Sequence, residues 1–153
     1  MKYSTFQKNA CKIAEKTLEK GKTRLLYQNT PEALYFTPDM KKAYYAYRLE
    51  GSELVEQPDE KAGKVDFTRL FSDNDRTYAE KIGEETLENG TTVYKYQSSD
   101  GRETWLDRRY VRKFPDNARF YLPRKSAISP AIVGLWENSR LNVIGLVCPV
   151  RRF

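Results

Sequence analysis

GRETWLDRRYVRKFPDNARFYLPRKSAISPAIVGLWENSRLNVIGLVCPVRRF, residues 101–153, decides how the chain is read. Arg102–Leu106 is a short extended run. Asp107 stands where a helix N-cap belongs, ahead of the basic stretch Arg108–Phe114, which spans two turns. Pro115 closes that stretch because it has no amide to donate to a further turn. Three apolar runs follow, Ala118–Leu122, Ala131–Trp136 and Val143–Val150. The breaks between them, Pro123–Pro130 and Glu137–Asn142, are rich in turn residues. The order predicted is strand, helix, then three strands.

Working outward, the same order recurs near the N-terminus. Ser4 or Thr5 is placed to cap a helix running to about Lys20, with Gly21 as its stop. Phe6, Ala10, Ile13, Ala14, Thr17 and Leu18 share one face at helical spacing. Lys8, Lys12, Lys16 and Lys20 form an i, i+4 row on the other, with Glu15 and Glu19 lying among them. A meander follows, Arg24–Gln28, Leu34–Thr37 and Ala43–Leu49, turning at Asn29–Glu32 and Pro38–Lys41. Met1–Tyr3 is available as a leading strand. Glu50–Lys64 reads as an exposed connector and Val65–Phe71 as a short apolar-anchored segment. Asn89-Gly90 marks a hairpin between Tyr78–Leu87 and Thr91–Gln97, and Ser98–Gly101 turns the chain back into residues 101–153.

The expected fold is α+β, a single domain over residues 1–153 with halves of about 1–64 and 72–153. Two βαββ(β) halves place two helices on one face of antiparallel sheets, related by an approximate internal two-fold. The repeat is one of pattern rather than of residues. The expected core is Phe120, Leu122, Ile132, Val133, Ile144, Leu146 and Val147, packed against Val111, Phe114, Ile13 and Leu18.

Composition narrows the function classes. A chain of 153 residues can bury a core without staples, and 13% aromatic content, including eleven Tyr, is too high for a disordered chain. The 27 Lys and Arg against 21 Asp and Glu leave a net +6, which favours an acidic partner, nucleic acid first. No apolar run approaches the ~20 residues of a membrane span, and the N-terminus has no signal-peptide core. Cys11 and Cys148 read as small buried hydrophobes in a reducing compartment, so the expected location is cytoplasmic.

Catalytic signatures are sparse. With no histidine, Ser-His-Asp, Cys-His and histidine-metal sites are excluded. Two separated cysteines cannot build a structural zinc site. Asp73-Asn74-Asp75 alternates oxygen ligands but lacks the downstream glycine and glutamate of a calcium loop. No nuclease-like carboxylate–lysine spacing stands out on paired strands. The expectation is a protein that is not an enzyme and holds no cofactor or metal.

Asn117-Ala118-Arg119-Phe120-Tyr121-Leu122, Ser129-Pro130-Ala131-Ile132-Val133 and Gly145-Leu146-Val147-Cys148-Pro149-Val150-Arg151 together resemble the end of a bacterial sliding clamp, the DNA polymerase III beta subunit. That family closes with an arginine-bearing strand, an "S/R-P" strand and a terminal apolar strand ending "P-V-R". Trp105–Val111 is similar to its strand-to-helix segment, and Asp66–Phe71 to its linker, without the linker's proline. The resemblance covers residues 104–151 and is one of pattern over 1–50. It implies helices that line a ring and face DNA, so Lys8, Lys12, Lys16 and Lys20 with Arg108, Arg109, Arg112 and Lys113 become the expected phosphate contacts. It also implies a peptide-binding role for Pro149, Val150 and Arg151. A family subunit has three such domains and this chain one, so a ring would need self-association or other subunits. Single clamp-like chains of this size look like products of phages or mobile elements. Two readings stay open: a non-catalytic module on duplex DNA, related to replication, or a protein-interaction module engaging a replication or defence protein without touching DNA.

Overall fold

The computed structural model describes residues 1–19, 26–29, 33–37, 45–50, 76–123 and 130–150. In chain order these form α1 (Tyr3–Glu19), β1 (Leu26–Asn29), β2 (Ala33–Thr37), β3 (Tyr45–Glu50), β4 (Arg76–Thr86), β5 (Thr92–Ser98), β6 (Glu103–Asp107), α2 (Arg108–Val111), β7 (Arg119–Pro123), β8 (Ala131–Glu137) and β9 (Arg140–Val147). The α+β class is as expected. The strands make one continuous sheet in the order β1-β2-β3-β9-β8-β7-β4-β5-β6, antiparallel at every step. Reading outward from the central β3–β9 pair, β3-β2-β1 mirrors β9-β8-β7, and each meander follows a helix. The repeat is therefore αβββ twice, with β4-β5-β6 added beyond β7.

The leading strand expected at Met1–Tyr3 is absent, because helix formation begins there instead. Tyr3 is already helical, and the Phe6 N–H donates to the Lys2 carbonyl at 3.0 Å. The cap thus lies ahead of Ser4 and Thr5. Phe6 and Ala10 are buried on one side of α1, with Ile13 half-buried beside them.

The second helix is shorter than two turns. Asp107 caps it as expected, its side chain accepting from the Arg109 N–H at 2.8 Å, but α2 ends after Val111. Lys113 and Phe114 then donate to Tyr110 and Val111, each at 3.2 Å, in the tighter i→i−3 pattern. That tightening delivers the Phe114 ring into the core. Asp107→Ala removes the cap and is expected to cost about 0.5–2 kcal/mol. Asp107→Asn keeps the capping oxygen and is expected to cost less; the urea midpoints of the two variants check the order.

The C-terminal hairpin is also tighter than its turn-rich sequence suggested. Asn138 and Ser139, at φ 49° and 62°, form a two-residue turn with Glu137 opposite Arg140. Two consecutive left-handed residues match the twist of the flanking strands, so no longer break is needed. β9 accordingly starts at Arg140 and stops at Val147, where its partner β8 begins at Ala131. The hairpin at Asn89-Gly90 holds, closed by Leu87 N–H to Thr91 carbonyl at 2.8 Å, with Gly90 at φ 85°.

Beyond β9 the Val150 N–H donates to the Trp105 carbonyl on β6 at 2.8 Å. β9 and β6 are five strand spacings apart, ~24 Å on a flat sheet, while three residues reach only ~10 Å. The run from β9 to β6 must therefore curl, and it curls round the core. Phe6, Ala10 and Phe114 pack there against Tyr96, Leu106, Phe120, Val133 and Ile144, so α1 and the segment after α2 share one face of the sheet. All seven expected sheet residues of the core are buried. Ile132 and Leu146, however, align with Tyr121 on the opposite face. Val111 is half-buried against the cluster, and the Leu18 side chain lies outside the described residues. Cys11 and Cys148 form no disulfide, and burial pushes the Cys148 thiol up to about 11. Gly21, the segments 51–64 and 65–71, Asp73-Asn74-Asp75 and Arg151 lie outside the described residues.

Candidate nucleic-acid interface

The two basic elements meet. Phe6 on α1 packs at a tilt against Phe114 with ring centroids 5.5 Å apart, and the Asp116 N–H donates to the Met1 carbonyl at 3.1 Å. The Met1 ammonium also pairs with the Asp116 carboxylate at 2.5 Å. These contacts pin the start of α1 beside the loop that leaves α2. Lys8 and Lys12 are exposed on the side of α1 away from Phe6 and Ala10. Lys16 lies further along α1, its side chain outside the described residues, and Lys20 falls outside them altogether.

On the α2 side the cations differ. Arg109 is engaged by Asp107 through Nη2 to Oδ2 at 2.8 Å and Nε to both carboxylate oxygens at 3.2 Å. Asp107 is buried, so that guanidinium is the counter-charge of a buried carboxylate, although it stays 70% exposed itself. Arg108 and Lys113 are half-buried, and Arg112 is exposed.

A second feature has no counterpart in the sequence reading. The β4–β7 ladder stops at Ala79–Phe120, yet β4 continues beside β5 as far as Thr86. The fork so created holds a cleft of about 420 Å³, bounded on its far side by residues 111–119. Phe114, Tyr96 and Phe120 are buried at its base, and Tyr78, Tyr94, Lys81, Arg112 and Arg119 line it. The Lys81 ammonium sits 3.7 Å above the Tyr94 ring centroid, and the Arg119 guanidinium 5.6 Å from that of Tyr78. Burial, with Tyr94 close by, pushes the Tyr96 hydroxyl above the ordinary tyrosine range, which keeps it neutral. Glu80 and Asp116 are the carboxylate residues along the cleft, and Asp116 is already paired with Met1.

Of the residues assigned from sequence, Lys8, Lys12 and Arg112 are exposed and Arg108 and Lys113 half-buried, on two elements that the Phe6–Phe114 contact joins, while Arg109 is paired with Asp107. Lys81 and Arg119 were missed. Arg119 lay in plain view inside a predicted strand, but only the fork gives it a cleft to face. Pro149 and Val150 are half-buried, with the Val150 amide bonded to β6. Among the described residues no cluster of acids and cysteines could hold a metal ion, and no helix is long and apolar enough to cross a membrane. Compared with known proteins, the chain matches no family model, no curated protein and no solved structure.

Proposed function

We propose that this protein is a non-catalytic, clamp-like module that holds duplex DNA by its phosphates, in a role related to replication. The observation carrying the reading is the Phe6–Phe114 contact, which docks α1, with Lys8 and Lys12 on its far side, against the segment that follows the cations of α2. The mirrored αβββ meanders about β3–β9, with both helices on one face, agree with a clamp-like arrangement. Lys8, Lys12, Arg108, Arg112 and Lys113 would meet phosphates. Such contacts fix position on a duplex but carry no base information.

Affinity for duplex is therefore expected to be weak, independent of sequence and steeply salt-dependent, with a log–log slope of roughly −0.9 per phosphate neutralised. Lys8→Glu/Lys12→Glu and Arg108→Glu/Arg112→Glu should each weaken binding equally for two unrelated duplexes and flatten the slope. Fluorescence anisotropy between low and moderate salt measures this. No binding at low salt, or a loss confined to one sequence, sinks the reading.

One observation favours the protein-interaction alternative. Trp136 is half-exposed on the outer side, its Nε1–H donating to the Tyr121 hydroxyl at 2.8 Å, and Tyr78 stands beside that ring. Exposed aromatic rings held in place are common anchors for a partner protein. Recovery of one stoichiometric protein partner that Trp136→Ala abolishes, together with no duplex binding, would establish that reading instead.

A further inference from the structure

We infer that the cleft at the β4–β7 fork takes a nucleotide unit, a phosphate carrying a flat base, either within an unpaired strand or free in solution. This goes beyond backbone contact with duplex, which needs neither a cavity nor aromatic rings. A paired base is stacked inside the double helix and cannot offer its face to a protein ring.

Chemistry and shape agree. The cleft's volume, about 420 Å³, falls within the roughly 300–1,000 Å³ usual for small-ligand sites. Inside the cleft Lys81 with Tyr94 is a cation held at an aromatic face; Arg119 with Tyr78 is a second such pair at the fork, where Tyr78 lies on the outer side with Tyr121. A phosphate offers such a cation a full opposite charge in place of a ring quadrupole, while a base can stack on the ring face the cation leaves. Arg112 supplies a third positive charge from the opposite wall. A positively charged groove with an aromatic ring to stack on is how unpaired nucleic acid is held without reading its sequence.

The fork also leaves β4 beyond Ala79 without a β7 neighbour, and an extended peptide could compete for that edge. The strand is badly suited to it. Its register with β5 shifts between Lys81 and Gly83, and it carries Glu80, Glu84 and Glu85. Bulges and charges are the devices that keep open edges from pairing. The side chains facing the cleft therefore decide its ligand, and they suit a nucleotide.

The test uses the full chain with a 5′-fluorescein-labelled dT12 followed by anisotropy, and unlabelled dTMP as competitor. Wild-type protein should bind dT12. Lys81→Ala/Arg119→Ala should weaken binding at least about tenfold and flatten the salt slope by roughly 0.7 for each phosphate no longer neutralised. Tyr94→Leu should weaken it by about five- to a hundredfold with the slope unchanged, since stacking releases no counterions, and Tyr94→Phe should restore it. Circular dichroism and urea midpoints confirm that each variant is folded. Displacement by dTMP at concentrations near its own affinity identifies the free nucleotide as a ligand; dT12 binding without displacement assigns the site to strands. Lys8→Glu/Lys12→Glu should impair duplex binding while leaving the Tyr94 dependence of dT12 binding in place, so this inference and the duplex reading fail separately. Absence of binding to both dT12 and dTMP, or dT12 affinity unchanged in both cleft variants, overturns it.

Discussion

Phe6→Ala is expected to remove about 3–5 kcal/mol of stability, the range for deleting a buried aromatic ring. Phe6 is fully buried, stacked on Tyr3 with centroids 6.0 Å apart and tilted against Phe114 at 5.5 Å. A small ring-shaped cavity there cannot collapse easily, because the curled sheet holds the other wall. Domains of this size have only about 5–15 kcal/mol in total, so the variant should sit near the edge of folding. The urea midpoint should fall with little change in slope. Combining Phe6→Leu with Phe114→Leu tests the contact itself, since two rings in direct contact should not contribute additively. The functional consequence is distinctive. Phe6 is not among the proposed phosphate contacts, yet loosening it frees α1, with Lys8 and Lys12, from the loop after α2. Duplex affinity of the folded fraction should therefore drop. A destabilisation below about 1 kcal/mol would mean that α1 is not docked through this ring.

Much of the fold was legible because apolar spacing and turn chemistry pointed the same way. The run Ala131–Leu135 is buried at every position, as expected of a strand covered on both faces, and Asp107 announced the start of α2. What sequence could not show were features set by neighbours distant in the chain. The length of α2 depends on Phe114 turning into the core. The Val150–Trp105 bond that closes the curl joins residues 45 apart. Tyr121, Ile132 and Leu146 fall on the opposite face because register, not hydrophobicity, assigns a side. The candidate site divides in the same manner. Lys8 and Lys12 were readable from helical spacing alone. Arg109 looked equivalent to Arg108 until Asp107, two residues earlier, proved to be both cap and counter-ion. Lys81 and Arg119, 38 residues apart, belong to strands that meet only where a ladder ends, and no local pattern marks the end of a ladder.

Ile144 shows how a change in register becomes an energetic expectation. Gly145 pairs with Val133 and Val143 with Gly134, so Ile144 is the additional residue of a bulge in β9. A bulge turns two consecutive positions toward the same side. Here one of them, Gly145, has no side chain, and Ile144 fills the space above Val133 in the core cluster with 1% of its surface exposed. Truncation to Ala is expected to cost about 2–5 kcal/mol, and Ile144→Val about 0.5–1.5 kcal/mol. Both are measured by urea unfolding. If the terminal strand were peripheral, the Ala variant would unfold within error of the wild type, and the core assigned to β8 and β9 would be wrong. Ile144 also separates stability from binding in a way that Phe6 cannot. It packs into the shared core from the sheet and is not a member of the Phe6–Phe114 ring pair that docks α1 against the segment after α2. Loss of its side chain should thus lower the urea midpoint while each folded molecule keeps its affinity for duplex and for dT12. Phe6→Ala and Ile144→Ala, matched in stability but not in DNA affinity, would show that the docking of α1 matters to binding beyond its contribution to folding.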